Sequence, residues 1–306
     1  MKPSLAVTIG GVTFKNPVTV ASGTFGYAEE FAELIDLDAL GGIVTKSITL
    51  KVRPGHPPPR TCETPAGMLN AIGLANVGVE RFIDEKLAFL RKLDTVCIVN
   101  VAGSTQAEYV EVCRLLQKAE GIDMIELNLS CPNVDAGGME LGTDPAVMIR
   151  VLTAVREVTS RPIIVKLSPN VTSIVAIARA AREGGAAAVS LINTLVGMAI
   201  NTETWRPRLS NGTGGLSGPA IRPVAVAMVY KVARAIDLPV IGIGGISDWN
   251  DAVEFHLAGA TAIQVGTANF IAPDTTMNII AGLSRYLAAR KLTAVTDIIG
   301  QVKVKP

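Results

Sequence analysis

Short apolar runs alternate along the chain with longer stretches in which apolar residues recur every three or four positions. The short runs are strand-like. They fall at residues 17–21 (PVTVA), 42–46 (GIVTK), 97–102 (CIVNVA), 124–129 (MIELNL), 163–167 (IIVKL), 187–192 (AAVSLI), 239–244 (PVIGIG) and 262–266 (AIQVG). The amphipathic stretches between them predict helices over 78–92, 105–118, 144–159, 172–183, 218–236, 248–257 and 277–290. Thr105, Asp144, Thr172 and Asp248 stand at helix starts, where a side-chain oxygen can accept from the first free backbone N–H groups. Strand–helix alternation over eight strands predicts an α/β fold, a (β/α)₈ barrel in one domain spanning residues 1–306. A doubly wound parallel sheet is the alternative.

Two connections are too long for simple turns. Residues 47–77 contain RPGHPPPR, whose prolines stiffen an extended path, and residues 193–217 contain NTETWRPRLSNGTGGLSG. Both follow predicted strands. On a barrel that places them at the end where active sites form, and both are expected to be functional loops.

Composition narrows the partners. Apolar residues make up 49% and charged residues 18%, which suits parallel strands buried on both faces. A formal net charge of +1 gives no electrostatic case for nucleic acid or an anionic membrane, and 4% aromatic residues supply no stacking platform for bases. The longest apolar stretch, 186–200, is broken by Ser190, Asn193 and Thr194, too often for a membrane span. The N-terminal MKPSLAVTIGG lacks the apolar core and cleavage site of a secretory signal, so a cytoplasmic chain is expected. Cys62, Cys97, Cys113 and Cys131 form no CxxC pair; reduced thiols are expected and an iron–sulfur ligand run is not. His56 and His256 have no second candidate ligand nearby in sequence, so no metal site is expected.

Polar residues at the C-terminal ends of apolar strands need a reason. Ser22, Lys46, Asn100, Asn128, Lys166 and Asn193 all sit there, and side-chain alternation puts Glu126, Asn128 and Ser130 on one face of their strand. Any one of these could simply close a turn or reach solvent. Six converging on one barrel end predict a pocket, and two lysines within it predict an anionic or electron-rich ligand. The glycine-rich turns GGLSGP, GIGGIS and VGTANF each lead into a helix. They predict close backbone approach and free N–H groups, the arrangement that grips phosphate at the last loops of a barrel. No GxxxxGK[ST] occurs, which disfavours an NTPase.

A cysteine is more often packing than reagent. That reading suits Cys97, inside an apolar run, and Cys113, inside a helix, while Cys62 stays undecided. Cys131 stands just past a strand end, before Pro132, on the side where the polar residues gather. With no metal partners and no nucleophile-elbow motif, the chemistry left open is a thiolate acting as nucleophile or base.

The segments ASGTFG, GGIVTKSIT, GMLNAIGLANVG, ELNLSCPNV, VKLSPNV, LINTL, GGLSGPAI, IGIGGI and QVGTANF run in this order over essentially the whole chain. Together they resemble the dihydroorotate dehydrogenases, the flavin enzymes of pyrimidine synthesis. Cysteine within NLSCPN matches the soluble class 1, and NAIGLANVG, INTLVGMAI and GGLSGPAIRPVA look most like class 1B, the catalytic subunits of NAD-linked complexes. The resemblance implies FMN across the barrel top, its phosphate near Gly244, Gly245, Gly266 and Thr267, with Ile192 and Gly218 beside it. Ser22, Lys46, Ser47, Asn100, Asn128 and Lys166 would surround the ring and ribityl chain. Dihydroorotate would meet Lys46, the run Asn70, Ala71, Ile72, Gly73 and Leu74, and Asn128, Asn193 and Thr194. Cys131 would take the C5 proton while FMN accepts the C6 hydride, giving orotate.

This chain has neither a dinucleotide fingerprint nor a cluster motif. The resemblance therefore implies a second subunit that carries FAD and a 2Fe-2S cluster and passes electrons to NAD. The family pattern is a heterotetramer of two catalytic and two electron-transfer chains. The nearest alternative is a class 1A homodimer that uses fumarate. Rivals of other classes are a phosphate-binding barrel lyase or aldolase, with Lys46 or Lys166 as a Schiff-base lysine, and a barrel that only binds.

Overall fold

Strands built from Val, Ile, Leu and Ala with few charges can be buried on both faces, and eight of them close a parallel barrel. The computed structural model describes residues 2–130 and 141–304. In chain order the barrel strands are β1 (Val18–Val20), β2 (Gly42–Val44), β3 (Val96–Ala102), β4 (Met124–Asn128), β5 (Ile163–Lys166), β6 (Ala188–Leu191), β7 (Val240–Ile243) and β8 (Ala262–Val265). Each pairs in parallel with the next, and β8 pairs with β1 to close the ring. All eight correspond to strands expected from the apolar runs, shifted or trimmed at their ends.

The helices Gln106–Gln117, Pro145–Arg156, Ile174–Glu183, Arg222–Ala233, Trp249–Ala258 and Thr275–Ala289 follow the expected order. Thr105 accepts from Glu108 N at 3.2 Å, Asp144 from Ala146 N at 2.7 Å, and Asp248 from Asn250 N at 2.8 Å. The fourth expected cap is displaced by one residue. Ser173, not Thr172, has the extended backbone of an N-cap and accepts from Ala176 N. The stretch predicted as one helix over 78–92 is an α-turn, Val79–Arg81, a π-turn, Phe82–Lys86, and a second α-turn, Leu87–Leu90. Among the described residues no helix is long and apolar enough to cross a membrane.

Two features lie outside the predicted alternation. A short antiparallel hairpin, Val7–Ile9 with Val12–Phe14, turns on Gly10 and Gly11, whose φ values of +57° and +83° suit glycine. A Cβ on Gly10 would meet those of Pro162 and Ala187 at 3.0 Å, just before β5 and β6. The hairpin therefore seals the N-terminal end of the barrel, with Ile9 and Phe14 fully buried.

The second feature corrects the reading of the two long connections as loops. Strands Thr61–Thr64 and Gly67–Asn70 from the first and Leu195–Met198 and Thr213–Ser217 from the second form one antiparallel sheet. It has its own small core of Leu69, Ala71 and Leu209. The strand Thr213–Ser217 reads as a loop because of its paired glycines, but a Cβ on Gly215 would lie 2.0 Å from Thr194 Oγ1. Glycine is what permits the close approach.

The cysteines sort by burial. Cys97 and Cys113 are buried, and burial pushes both thiols up to about 12, as packing residues require. Cys62 is half-buried at the outer strand of the antiparallel sheet. Cys131 lies outside the described residues.

Candidate active site

The sheet from the two long connections leaves a cavity between itself and the C-terminal ends of the barrel strands. Its volume is about 780 Å³, ample for a ligand of cofactor size. Barrel strand ends supply Ser22, Lys46, Ser47, Asn128, Lys166, Ile192 and Asn193. The covering sheet and its flanks supply Asn70, Ala71, Ile72, Gly73, Leu74 and Thr194. The glycine-rich turns supply Gly218, Gly244, Gly245, Gly266 and Thr267. Of the site residues expected from sequence, two do not line the described wall. Asn100 is fully buried one layer behind Ser47, and Cys131 falls outside the described residues.

Sequence reasoning missed Arg53, His56 and Asn170, which also line the cavity. Asn170 carried the same signal as the others, a polar residue just past a strand end. Arg53 and His56 carried none; they reach the site only because residues 47–77 fold back over the barrel.

Hydrogen bonds hold the polar wall in place. Asn193 Nδ2 donates to Asn128 Oδ1 at 3.1 Å and to Ser130 Oγ at 2.9 Å. Asn193 Oδ1 accepts from Thr194 N at 2.8 Å. The Tyr109 hydroxyl, buried beneath, donates to the Asn128 carbonyl at 2.6 Å. Asn170 bridges the chain on either side of Leu195, donating to Thr194 O and accepting from Val196 N, both at 3.1 Å. The Asn128 amide nitrogen has no acceptor among the described residues and is left as a donor to a ligand.

Charge on the wall has one sign. Lys46, Arg53 and Lys166 line the cavity, and no described lining residue is Asp or Glu. Burial, then the nearby Arg60 guanidinium, pulls the Lys46 ammonium below its ordinary value, with Glu30 opposing. Neither lysine ammonium has a hydrogen-bond or ion-pair partner among the described residues. A bound anion would relieve both.

The turns after β7 and β8 complete the donor set. Gly244 and Gly245 have φ values of +133° and +71°, and a Cβ on Gly245 would press to 2.7 Å from Gly218 O. The backbone N–H groups of Gly244, Gly245, Gly266 and Thr267 find no acceptor among the described residues. Free N–H groups at one end of the cavity and unpaired ammoniums along its floor fit a phosphorylated ligand with an electron-rich head.

Comparison with known proteins agrees with this geometry. The family model for dihydroorotate dehydrogenase matches residues 4–287. A curated relative from Geobacter sulfurreducens is 54% identical over 303 residues, one from Geotalea daltonii 53% and one from Pelobacter propionicus 52%. Each match covers 99% of this chain and at least 99% of the relative. All three relatives are named dihydroorotate dehydrogenase B (NAD(+)), catalytic subunit. With a closed barrel, a cationic cavity at its strand ends and a match along nearly its whole length, this chain belongs to the dihydroorotate dehydrogenase family.

Proposed function

We propose that this chain, as one domain over residues 1–306, oxidises (S)-dihydroorotate to orotate in the cytoplasmic synthesis of pyrimidine nucleotides, with FMN as its cofactor. The observation that carries the reading is the cavity wall: three cations, free backbone N–H groups at one end, and no acid among the described lining residues. Gly244, Gly245, Gly266 and Thr267 would hold the FMN phosphate, and Ile192 and Gly218 would flank it. Ser22, Ser47 and Lys166 would face the ring and ribityl chain, with Asn100 supporting from behind. When bound, FMN supplies the hydride acceptor.

The chain's own groups do the rest. Lys46 offers a partly desolvated ammonium to the substrate carboxylate, with no hydrogen-bond or ion-pair partner competing for it among the described residues. The Asn128 amide, which meets no acceptor among the described residues, donates to a substrate carbonyl or carboxylate oxygen. Asn70, Asn193 and Thr194, with the run Ala71 to Leu74, enclose the substrate from the covering sheet. Cys131 removes the proton from C5 as a thiolate base. Lys166 stabilises negative charge that builds beside it as the substrate is oxidised.

The names of the relatives support a partner subunit. We assign it FAD and a 2Fe-2S cluster and the transfer of electrons to NAD, in a heterotetramer of two catalytic and two electron-transfer chains. The test is an absorbance spectrum of the purified chain. Flavin bands that bleach on anaerobic addition of dihydroorotate are expected, with turnover on an artificial acceptor and none on NAD. Robust NAD reduction by the lone chain would overturn the partner assignment. Turnover with fumarate would favour class 1A, and a colourless chain trapped by borohydride with substrate would favour a Schiff-base enzyme.

A further inference from the structure

Glu126 is fully buried inside the barrel and belongs to none of the roles above. Its Oε1 accepts from Asn100 Nδ2 of the neighbouring β3 at 2.7 Å. Its Oε2 accepts from Ser190 Oγ of β6 at 2.8 Å and from Gln264 Nε2 of β8, on the opposite side of the ring, at 2.7 Å. All three partners are uncharged. A buried carboxylate with only neutral donors costs more to desolvate than an apolar pair of the same size, so stability is a poor reason for it.

Donor–acceptor polarity is a better one. A carboxylate only accepts, so Asn100 must turn its NH₂ toward Glu126. The Asn100 Oδ1 then faces the other way and accepts from Ser47 Oγ at 2.6 Å. With that hydrogen committed, Ser47 can offer only lone pairs to the cavity, and Ser22 Oγ, 3.4 Å from Ser47 Oγ, is left to donate to it. Both serines line the cavity.

We propose that Glu126 is a positioning residue: it sets the polarity of the Asn100–Ser47–Ser22 chain, so that the wall accepts from, rather than donates to, an N–H or O–H group of the bound flavin. This inference rests on the FMN reading above. Glu126→Gln keeps the shape but offers an N–H as well as a carbonyl, so Asn100 can face either way. FMN release from the diluted holoenzyme, read by recovery of flavin fluorescence, should become about tenfold more favourable, about 1.4 kcal/mol, with a displaced flavin absorption maximum. Glu126→Asp, still acceptor-only, should recover most of the loss.

The exchange Glu126→Gln with Gln264→Glu keeps one carboxylate and one amide in the barrel: the carboxylate moved to position 264 accepts from the NH₂ moved to position 126, so a carbonyl oxygen still faces Asn100 Nδ2 and holds it in the native orientation. It should fold and hold FMN as tightly as the native chain, which carries the test if the single variant does not fold. Ser190→Ala cuts a bond to Glu126 without touching Asn100, and should lower thermal stability while flavin affinity and spectrum stay native. Native FMN retention in a folded Glu126→Gln overturns the inference, as does a tenfold loosening in the folded exchange variant or an equal loosening by Ser190→Ala. A wild-type chain that holds no flavin sinks the FMN reading instead.

Discussion

The barrel and the sheet that covers it are held together on different terms. In β3, β5, β6, β7 and β8 every residue is buried, at odd and even positions alike. In the covering sheet exposure alternates: Val196 and Met198 are 65% and 51% exposed while Leu195 and Gly197 turn inward. Apart from the β8–β1 pairing that closes the ring, barrel strands pair with their successors in the chain. The covering sheet instead pairs Gly215 with Asn70, 145 residues apart. The lesson is a division of labour. Burial on both faces makes the barrel the source of stability, and the covering sheet, with a core of three buried residues among those described, shapes the cavity.

The sharpest test lies at the barrel end, where the proposed base stands. Cys131→Ala should lower turnover by roughly 10²- to 10⁴-fold while the chain keeps its flavin, measured by stopped-flow reduction with dihydroorotate. Unchanged reduction would remove the thiol from the mechanism. Next in size, Leu127→Ala in β4 deletes a fully buried side chain and should cost about 2–5 kcal/mol in denaturant unfolding. Its KM for dihydroorotate should stay native; a large KM change would break the division of labour.

The scaffold also holds a pH-sensitive group. His256 is fully buried, and burial holds its pKa down to about 4 against the pull of its bond to the Ala260 carbonyl. The folded chain keeps the imidazole neutral while the unfolded chain protonates it near 6.5. Its contribution is therefore complete above pH 6.5 and lost as the pH falls toward 4, on the order of 3 kcal/mol in all. His256→Leu should flatten the stability curve over that window, and parallel curves for the two proteins would refute the assignment.

The covering sheet should respond in the opposite sense. Gly215→Ala pushes a methyl group into Thr194 at the cavity wall. KM for dihydroorotate should rise roughly tenfold, with unfolding free energy falling by about 1–3 kcal/mol, less than for Leu127→Ala. A stability loss as large as that of Leu127→Ala would mean that the sheet is part of the scaffold. The smallest effect concerns thiols. At neutral pH Cys97 and Cys113 should resist iodoacetamide in the folded chain, since burial keeps both protonated and covered. Rapid labelling of either, located by mass spectrometry, would show that the barrel opens.

Much of the site was legible because it violates a local pattern. A lysine or asparagine at the end of an apolar strand interrupts a periodicity that burial otherwise enforces, and Lys46, Asn128, Lys166 and Asn193 all converge on the cavity. The glycine-rich turns were legible for a related reason: Gly244 and Gly245 adopt backbone angles that side chains resist. Asn100 obeyed the same signal yet sits behind Ser47, because strand alternation gives the face of a side chain and not its depth. The choice of Ser173 over Thr172 as a cap was equally hidden, since either hydroxyl could serve and only the backbone angles decide.

What the chain's pattern determined by itself was the barrel: the number, order and burial of its strands, and which of their ends carry polar groups. Burying apolar side chains is a property of each segment, and so it leaves its mark locally. Only the tertiary structure decided that residues 47–77 and 193–217 share a sheet, that Arg53 reaches the cavity, and that Glu126 bonds across the ring to Gln264. Those are pairings of backbone and polar groups from distant parts of the chain. A backbone hydrogen bond is the same for nearly every residue type, so such a pairing leaves no trace in the sequence of either partner.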